Sequence, residues 1–301
     1  MNLKLMKNLM QTNDEELKEI LYNYLKSKGY TRIVRNDYFI FAEGDLPLCL
    51  LAHIDTVFQY LPAEFYYDNR KKVMWSPDGL GADDRAGIYS IITLIERGYK
   101  PSIIFTDLEE CGGQGASHLV KLFPSCPFKN CKALIQLDRR GSKDSVFYQC
   151  ENKSFETLIN SYGFITAWGT FTDISIIAPK WKIAAVNLSV GYYHEHQHIE
   201  FINMIECHNT IDKVEKMLQN CSNWKKYKYI PAKYTVTKYN NFFSNSFTLK
   251  DSPWWLTNTC AMCDKQLADN EGRLVDDGLN STDGYLLCDS CYDKYLKKYM
   301  V

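Results

Sequence analysis

Five side chains able to hold cations follow one another along the first two-thirds of the chain: His53, Asp83, Glu110, Asp138 and His196. A sixth group, Glu109, stands beside the third. Each ends an apolar, strand-like run or lies in the glycine-rich turn after one. Imidazole nitrogens and carboxylate oxygens are donors that zinc accepts. Five of them with an extra carboxylate suit a pair of zinc ions next to a base, the arrangement that activates a water for hydrolysis.

Each position also has an ordinary reading. His53 and Asp55 are two apart on a strand and share a face. The acid could fix the tautomer of a ligating imidazole, or it could simply pair a half-buried histidine. In GLGADDRAG, Asp83 and Asp84 occupy a glycine-rich turn before a helix. One aspartate suffices as a cap, so Asp83 is expected to bridge two cations while Asp84 caps or turns outward. Glu109 and Glu110 can point in different directions, one to metal and one to water; a solvated acidic pair is the alternative. Asp138 ends ALIQLD, where an unpaired buried carboxylate is costly. A metal would remove that cost, and so would Arg139 or Arg140. GYYHEHQHIE carries His194, His196 and His198 at alternate positions, and spacing does not choose among them.

The elements that must position these groups alternate. NDEELKEILYNYLKS (13–27) reads as a capped helix, and Arg32–Arg35 and Tyr38–Ala42 as short strands. PLCLLAHIDTV is apolar up to His53, like a strand buried on both faces. FYYD, NRKK and VMWS suggest a surface hairpin and RAGIYSIITLIERG a helix. PSIIFTD, KALIQLDR and IAAVNLSV follow as strands, with helices over GASHLVKLF, NKSFETLINSYGF and residues 200–219. Alternation of this kind predicts an α/β fold, a mostly parallel sheet flanked by helices. Ligands of such sheets bind beyond the carboxyl ends of the strands, where the candidate donors fall.

In sequence order, HIDTV, GADDRAG, EECGGQGA, LDRRG, GTFTD and GYYHEHQHIE resemble the dinuclear zinc exopeptidases of the peptidase T, carboxypeptidase G and aminoacylase group. The resemblance covers roughly residues 45–205. It implies that His53 and Asp138 hold one zinc, Glu110 and His196 the other, and Asp83 both. Cobalt or manganese are alternative occupants. Glu109 would be the general base and Asp55 the partner of His53. His196 is preferred because the family pattern places its ligand after Gly-Tyr-Tyr and four residues before a glutamate, here Glu200. Members usually insert a lid domain between the equivalents of Asp138 and His196. Only 57 residues separate them here, so a lidless form is expected. The lid often supplies a carbonyl-polarising histidine; Arg139, Arg140, His194 and Thr170 are the candidates to replace it. Thr172 and Asp173 match a structural turn near the site.

Near the C-terminus, Cys260-x2-Cys263 and Cys288-x2-Cys291 stand 24 residues apart. Two such knuckles can clamp a tetrahedral structural zinc, and the module resembles a zinc ribbon or treble clef. The expected division is 1–221 as the hydrolase domain without a lid, 222–257 as a basic, aromatic linker, and 258–301 as the four-cysteine module. Residues 260–301 carry eight acidic and five basic side chains, which favours a protein partner for the module over nucleic acid. A net charge of −1 exerts no general pull on nucleic acid or membrane. MNLKLMKNLM has lysines among its apolar residues, so a signal peptide is not expected. The remaining seven of the eleven cysteines are dispersed, which indicates a reducing compartment and a cytoplasmic location. The substrate expected is a short peptide cut in aminopeptidase fashion. A deacylase or amidase acting on N-acyl amino acids or other small amides is the alternative, as is a binding protein that keeps the fold without turnover.

Overall fold

The computed structural model describes residues 1–232 and two short strands further on. Helices α1 (Leu3–Met10) and α2 (Asp14–Ser27) precede β1 (Ile33–Arg35), β2 (Phe39–Ala42) and β3 (Leu46–His53). A hairpin of β4 (Tyr66–Asp68) and β5 (Val73–Trp75) leads to α3 (Ala82–Glu96), β6 (Pro101–Thr106), α4 (Gln114–Leu122) and β7 (Ala133–Arg139). Then come β8 (Asp144–Val146), α5 (Lys153–Asn160), β9 (Ile165–Thr166), α6 (Asp173–Trp181) and β10 (Ala185–Ser189). The unit ends with β11 (Tyr192–Tyr193), β12 (Phe201–Asn203) and α7 (Met204–Asn220).

Eight strands form the main sheet in the order β1-β2-β6-β3-β7-β10-β8-β9. Its centre is parallel: β6 with β3, β3 with β7, and β7 with β10. Alternation within these strands builds two cores, one on each face. Leu48, Leu50 and Ala52 of β3 join Ile103, Phe105, Ile135 and Leu137 on one side. Cys49 and Leu51 join Ile104 and Leu134 on the other. A strand with both faces buried must be apolar throughout, which is why these runs are legible as strands. Helix α3 lies directly on β7, since a Cβ at Gly87 would sit 2.2 Å from the Leu137 carbonyl oxygen. That close approach brings the start of α3 beside Asp138.

The hairpin is formed as expected and belongs to a second, antiparallel sheet, β11-β12-β5-β4. Residues 194–200 connect β11 to β12. Between Asp138 and His196 the chain builds β8 to β11 with α5 and α6, and β8, β9 and β10 all join the main sheet. This stretch contains no inserted lid domain.

The first compact unit runs from Met1 to Lys233, past the expected boundary at residue 221, and the second from Tyr234 to Val301. The start of the expected linker is a strap on the domain. Trp224 and Tyr227 are buried in the core. The Tyr227 N–H bonds to Lys132 O at 2.9 Å, and its carbonyl accepts from Ala184 N at 3.0 Å. Within the second unit, β13 (Arg273–Val275) pairs antiparallel with β14 (Tyr285–Leu287). Cys260, Cys263, Cys288 and Cys291, and with them the four-cysteine module, lie outside the described residues. Among the described residues, no helix is long and apolar enough to cross a membrane.

Candidate metal centre

The carboxyl ends of β3, β6 and β7 converge on one site. His53 closes β3 and is 1% exposed. Its Nδ1 lies 3.0 Å from the Asp55 carbonyl oxygen and 3.2 Å from Asp55 Oδ1. Its Nε2 faces the other way, 3.1 Å from Asp83 Oδ1 and 3.6 Å from Asp138 Oδ1. The second oxygen of Asp83 is 3.3 Å from His196 Nε2, which also stands 2.8 Å from Glu110 Oε1. Asp83 thus offers one oxygen to each of two clusters, His53–Asp83–Asp138 and Asp83–Glu110–His196. Within each cluster the candidate ligand atoms lie within 4.8 Å of one another, and Glu109 lies within the same reach of His53 and Glu110.

The donor set fits divalent cations. Two ligands each about 2.05 Å from a tetrahedral zinc are about 3.3 Å apart, and the four separations above bracket that value. Glu110 Oε1 is the more telling atom. It is buried and has no hydrogen-bond partner of proper geometry, although His196 Nε2 stands close by. Two donor atoms so placed aim at a common third point.

The supports come from several elements. Asp55 receives the N–H groups of Glu109 and Glu110 at 3.1 and 3.0 Å, fixing the turn that carries both glutamates. Burial pushes the Asp55 carboxyl up, but the His53 imidazole and these two amides outweigh it and hold the group low. Asp84 is fully buried and does not turn outward. It caps, accepting from Gly87 N at 3.0 Å, and also accepts from His53 N at 3.1 Å. Asp138 Oδ2 accepts from Gln136 Nε2 at 2.9 Å and Thr172 Oγ1 at 2.8 Å. Burial and the Asp83 charge raise the Asp138 carboxyl to about 6 against the pull of His53. Burial would lower His196, but Asp83 and Glu110 hold it up at about 11. Burial drives Glu109 well above the carboxylate range; the Asp138, Asp173 and Glu110 charges add to this while His53 opposes it.

The segment with three histidines is not extended. His194 and His196 adopt left-handed backbone, at φ of 58° and 62°, so the three rings do not share one face. His194 packs near the Phe201 ring and His198 near Phe58. Arg139 donates to the Trp168 carbonyl and Arg140 pairs with Glu195.

Glu200, which the sequence offers only as a landmark in the family pattern, has a structural position of its own. It is fully buried, accepting from Gly81 N at 2.6 Å and Ala82 N at 3.2 Å through Oε2, and from Asp83 N at 3.1 Å through Oε1. These are the first amides of α3, which have no partner inside the helix. Glu200 therefore fixes the backbone of Asp83 from the far side of the chain.

A family model described as Peptidase family M28 matches residues 41–163, which hold His53, Asp55, Asp83, Glu109, Glu110 and Asp138 but not His196. The chain is a hydrolase of the peptidase kind. Among solved structures its fold is similar to aminopeptidase PepT from Bacillus cereus, at 14% identity and a TM-score of 0.58, over 73% of this chain and 98% of that one. A tripeptidase from Staphylococcus aureus gives 14% identity and 0.59 over 74% and 98%. A TET aminopeptidase from a marine-sediment Thaumarchaeota archaeon gives 13% and 0.55 over 72% and 96%. At such identities the likeness is one of fold. No curated protein matches the sequence.

Proposed function

We propose that the chain is a dinuclear zinc-dependent hydrolase that cleaves the amide bond of a short peptide in aminopeptidase fashion. The observation that carries this reading is Asp83, one buried carboxylate whose two oxygens face two separate imidazole–carboxylate groups. His53 and Asp138 hold one cation, Glu110 and His196 the other, and Asp83 both. A cation pair supplies Lewis acidity toward a carbonyl and acidifies water. Asp55 orients His53 through Nδ1 so that Nε2 faces the site. Glu109, buried beside His53 and Glu110, takes the proton of the attacking water and passes it to the leaving amine. Cys260, Cys263, Cys288 and Cys291 hold one structural zinc in a module that selects a protein partner, and the dispersed thiols fit the cytoplasm.

The test loads the intact chain with zinc and offers amino-acid amides, dipeptides, tripeptides and N-acyl amino acids. Metal-dependent release from substrates with a free amine is expected, with three zinc ions per chain by elemental analysis, two of them open to chelators. Turnover of N-acyl amino acids alone would make the chain a deacylase. Full metal sites with no turnover of any amide would make it a binding protein.

A further inference from the structure

We infer that Trp168 and Phe171 form an apolar wall that receives the substrate side chain beside the cleaved amide, so that the site selects large apolar and aromatic residues. The inference rests on the proposed amide cleavage and deepens it. Trp168 is 70% exposed and Phe171 42%. Single exposed apolar residues are ordinary on protein surfaces, so position must decide.

The loop that carries them, residues 167–172, is pinned on the Asp138 side of the centre. Ala167 donates its N–H to Ser145 O at 3.0 Å. Arg139, next to Asp138, donates to Trp168 O at 3.2 Å. Thr172 donates its hydroxyl to Asp138 itself. Phe171 reaches the opposite side. Its ring lies on Gly113, where a Cβ would come within 2.8 Å of the ring carbon Cζ. Gly113 closes the turn that starts at Glu109, its N–H bonded to Glu109 O at 2.9 Å. The ring, with Ile176 at the same 2.8 Å, therefore rests on the end of the turn that bears Glu109 and Glu110, and its residue directly precedes the Thr172 that holds Asp138.

Phe171 is partly packed on protein and partly open, on a backbone already fixed, so binding against it orders little that was free. Aromatic side chains bring a large apolar contact area, about 150–250 Å² when fully buried. Both arginines beside the loop face a carboxylate. Arg139 is 3.5 Å from Asp144, and Arg140 is 2.6 Å from Glu195.

The test compares the zinc-loaded wild-type chain with Trp168→Ala, Phe171→Ala and Phe171→Leu, the last keeping an apolar contact on Gly113. Substrates are phenylalaninamide, leucinamide and glycinamide. Binding of free phenylalanine and glycine is measured in parallel by calorimetry. The wild type should favour phenylalanine over glycine in kcat/KM and in binding. That ratio should fall about tenfold in each alanine variant and less in Phe171→Leu. An unchanged ratio in variants that fold and bind zinc would overturn the wall. Should the wild type cleave no amide yet bind phenylalanine over glycine, with the preference lost in the variants, the wall would stand and the amide-cleavage reading would fall.

Discussion

Replacing Glu200 tests whether the centre is built on the first turn of α3. Its carboxylate accepts three amides, from Gly81, Ala82 and Asp83, at 2.6, 3.2 and 3.1 Å, with no solvent exposure. Burial and the nearby Asp83 charge push it up to about 8, while the three amides pull it down. Glu200→Ala leaves three buried donors without partners, each costing about 1–3 kcal/mol. Water entering the space left behind recovers part of this, so a loss of about 3 kcal/mol is expected. Glu200→Gln is the sharper change. An amide oxygen can still serve Gly81 and Ala82, but the amide nitrogen then meets the Asp83 N–H, donor against donor. The side chain of Asp83 must shift, and Asp83 is shared by both clusters. Loss of a group that orients a metal ligand costs about 10–100-fold in affinity, and here the loss should appear at both sites together. Competition titration against a chelator measures this, with urea denaturation reporting stability. A Glu200→Gln chain that binds two labile zinc ions with wild-type affinity would refute the positioning role.

Three shorter predictions concern the same unit. Glu109→Gln should retain both labile metals and lose turnover by about 10²–10⁴-fold, the usual worth of a general base; stopped or steady-state kinetics on zinc-loaded protein decides it, and unchanged rates would remove Glu109 from its role. Alanine at His194, His196 and His198 in turn should abolish one labile metal only at His196, as read by elemental analysis after dialysis. Lys18→Met should destabilise the fold by about 3–5 kcal/mol in urea titrations, because Lys18, 1% exposed, is 2.8 Å from the buried Asp107 carboxylate, which would be left without its cation; a change under 1 kcal/mol would show that Asp107 finds another partner or a proton.

The strands were legible because β3, β6 and β7 must be apolar on both faces, and the candidate ligands because each ends such a run. Less legible were groups whose partners lie far along the chain. Glu200 meets the start of α3 across 117–119 residues, and nothing local in GYYHEHQHIE marks it as a cap. Lys18 sits in a charged helix that reads as a solvent face, yet it is enclosed by Asp107 and the Asp37 carbonyl. Helix α6 was hidden because its capping box uses Thr172 and Ser175, without the glutamate that usually announces one.

Two further residues were within reach of sequence reasoning. Gln136 and Asn187 interrupt otherwise apolar strands, and a buried amide needs partners. Both find them at Asp138: Gln136 on its carboxylate, and Asn187 on its backbone N–H at 2.9 Å and carbonyl at 2.8 Å. A polar residue within a buried strand thus points to the group it supports, here the candidate ligand at the end of β7. The strap after α7 followed the opposite logic. Its lysines suggested solvent, and Lys225, Lys226 and Lys228 are indeed exposed, but Trp224 before them and Tyr227 among them are buried. The aromatics decide where such a segment lies, since their burial outweighs lysines that keep their charges in water.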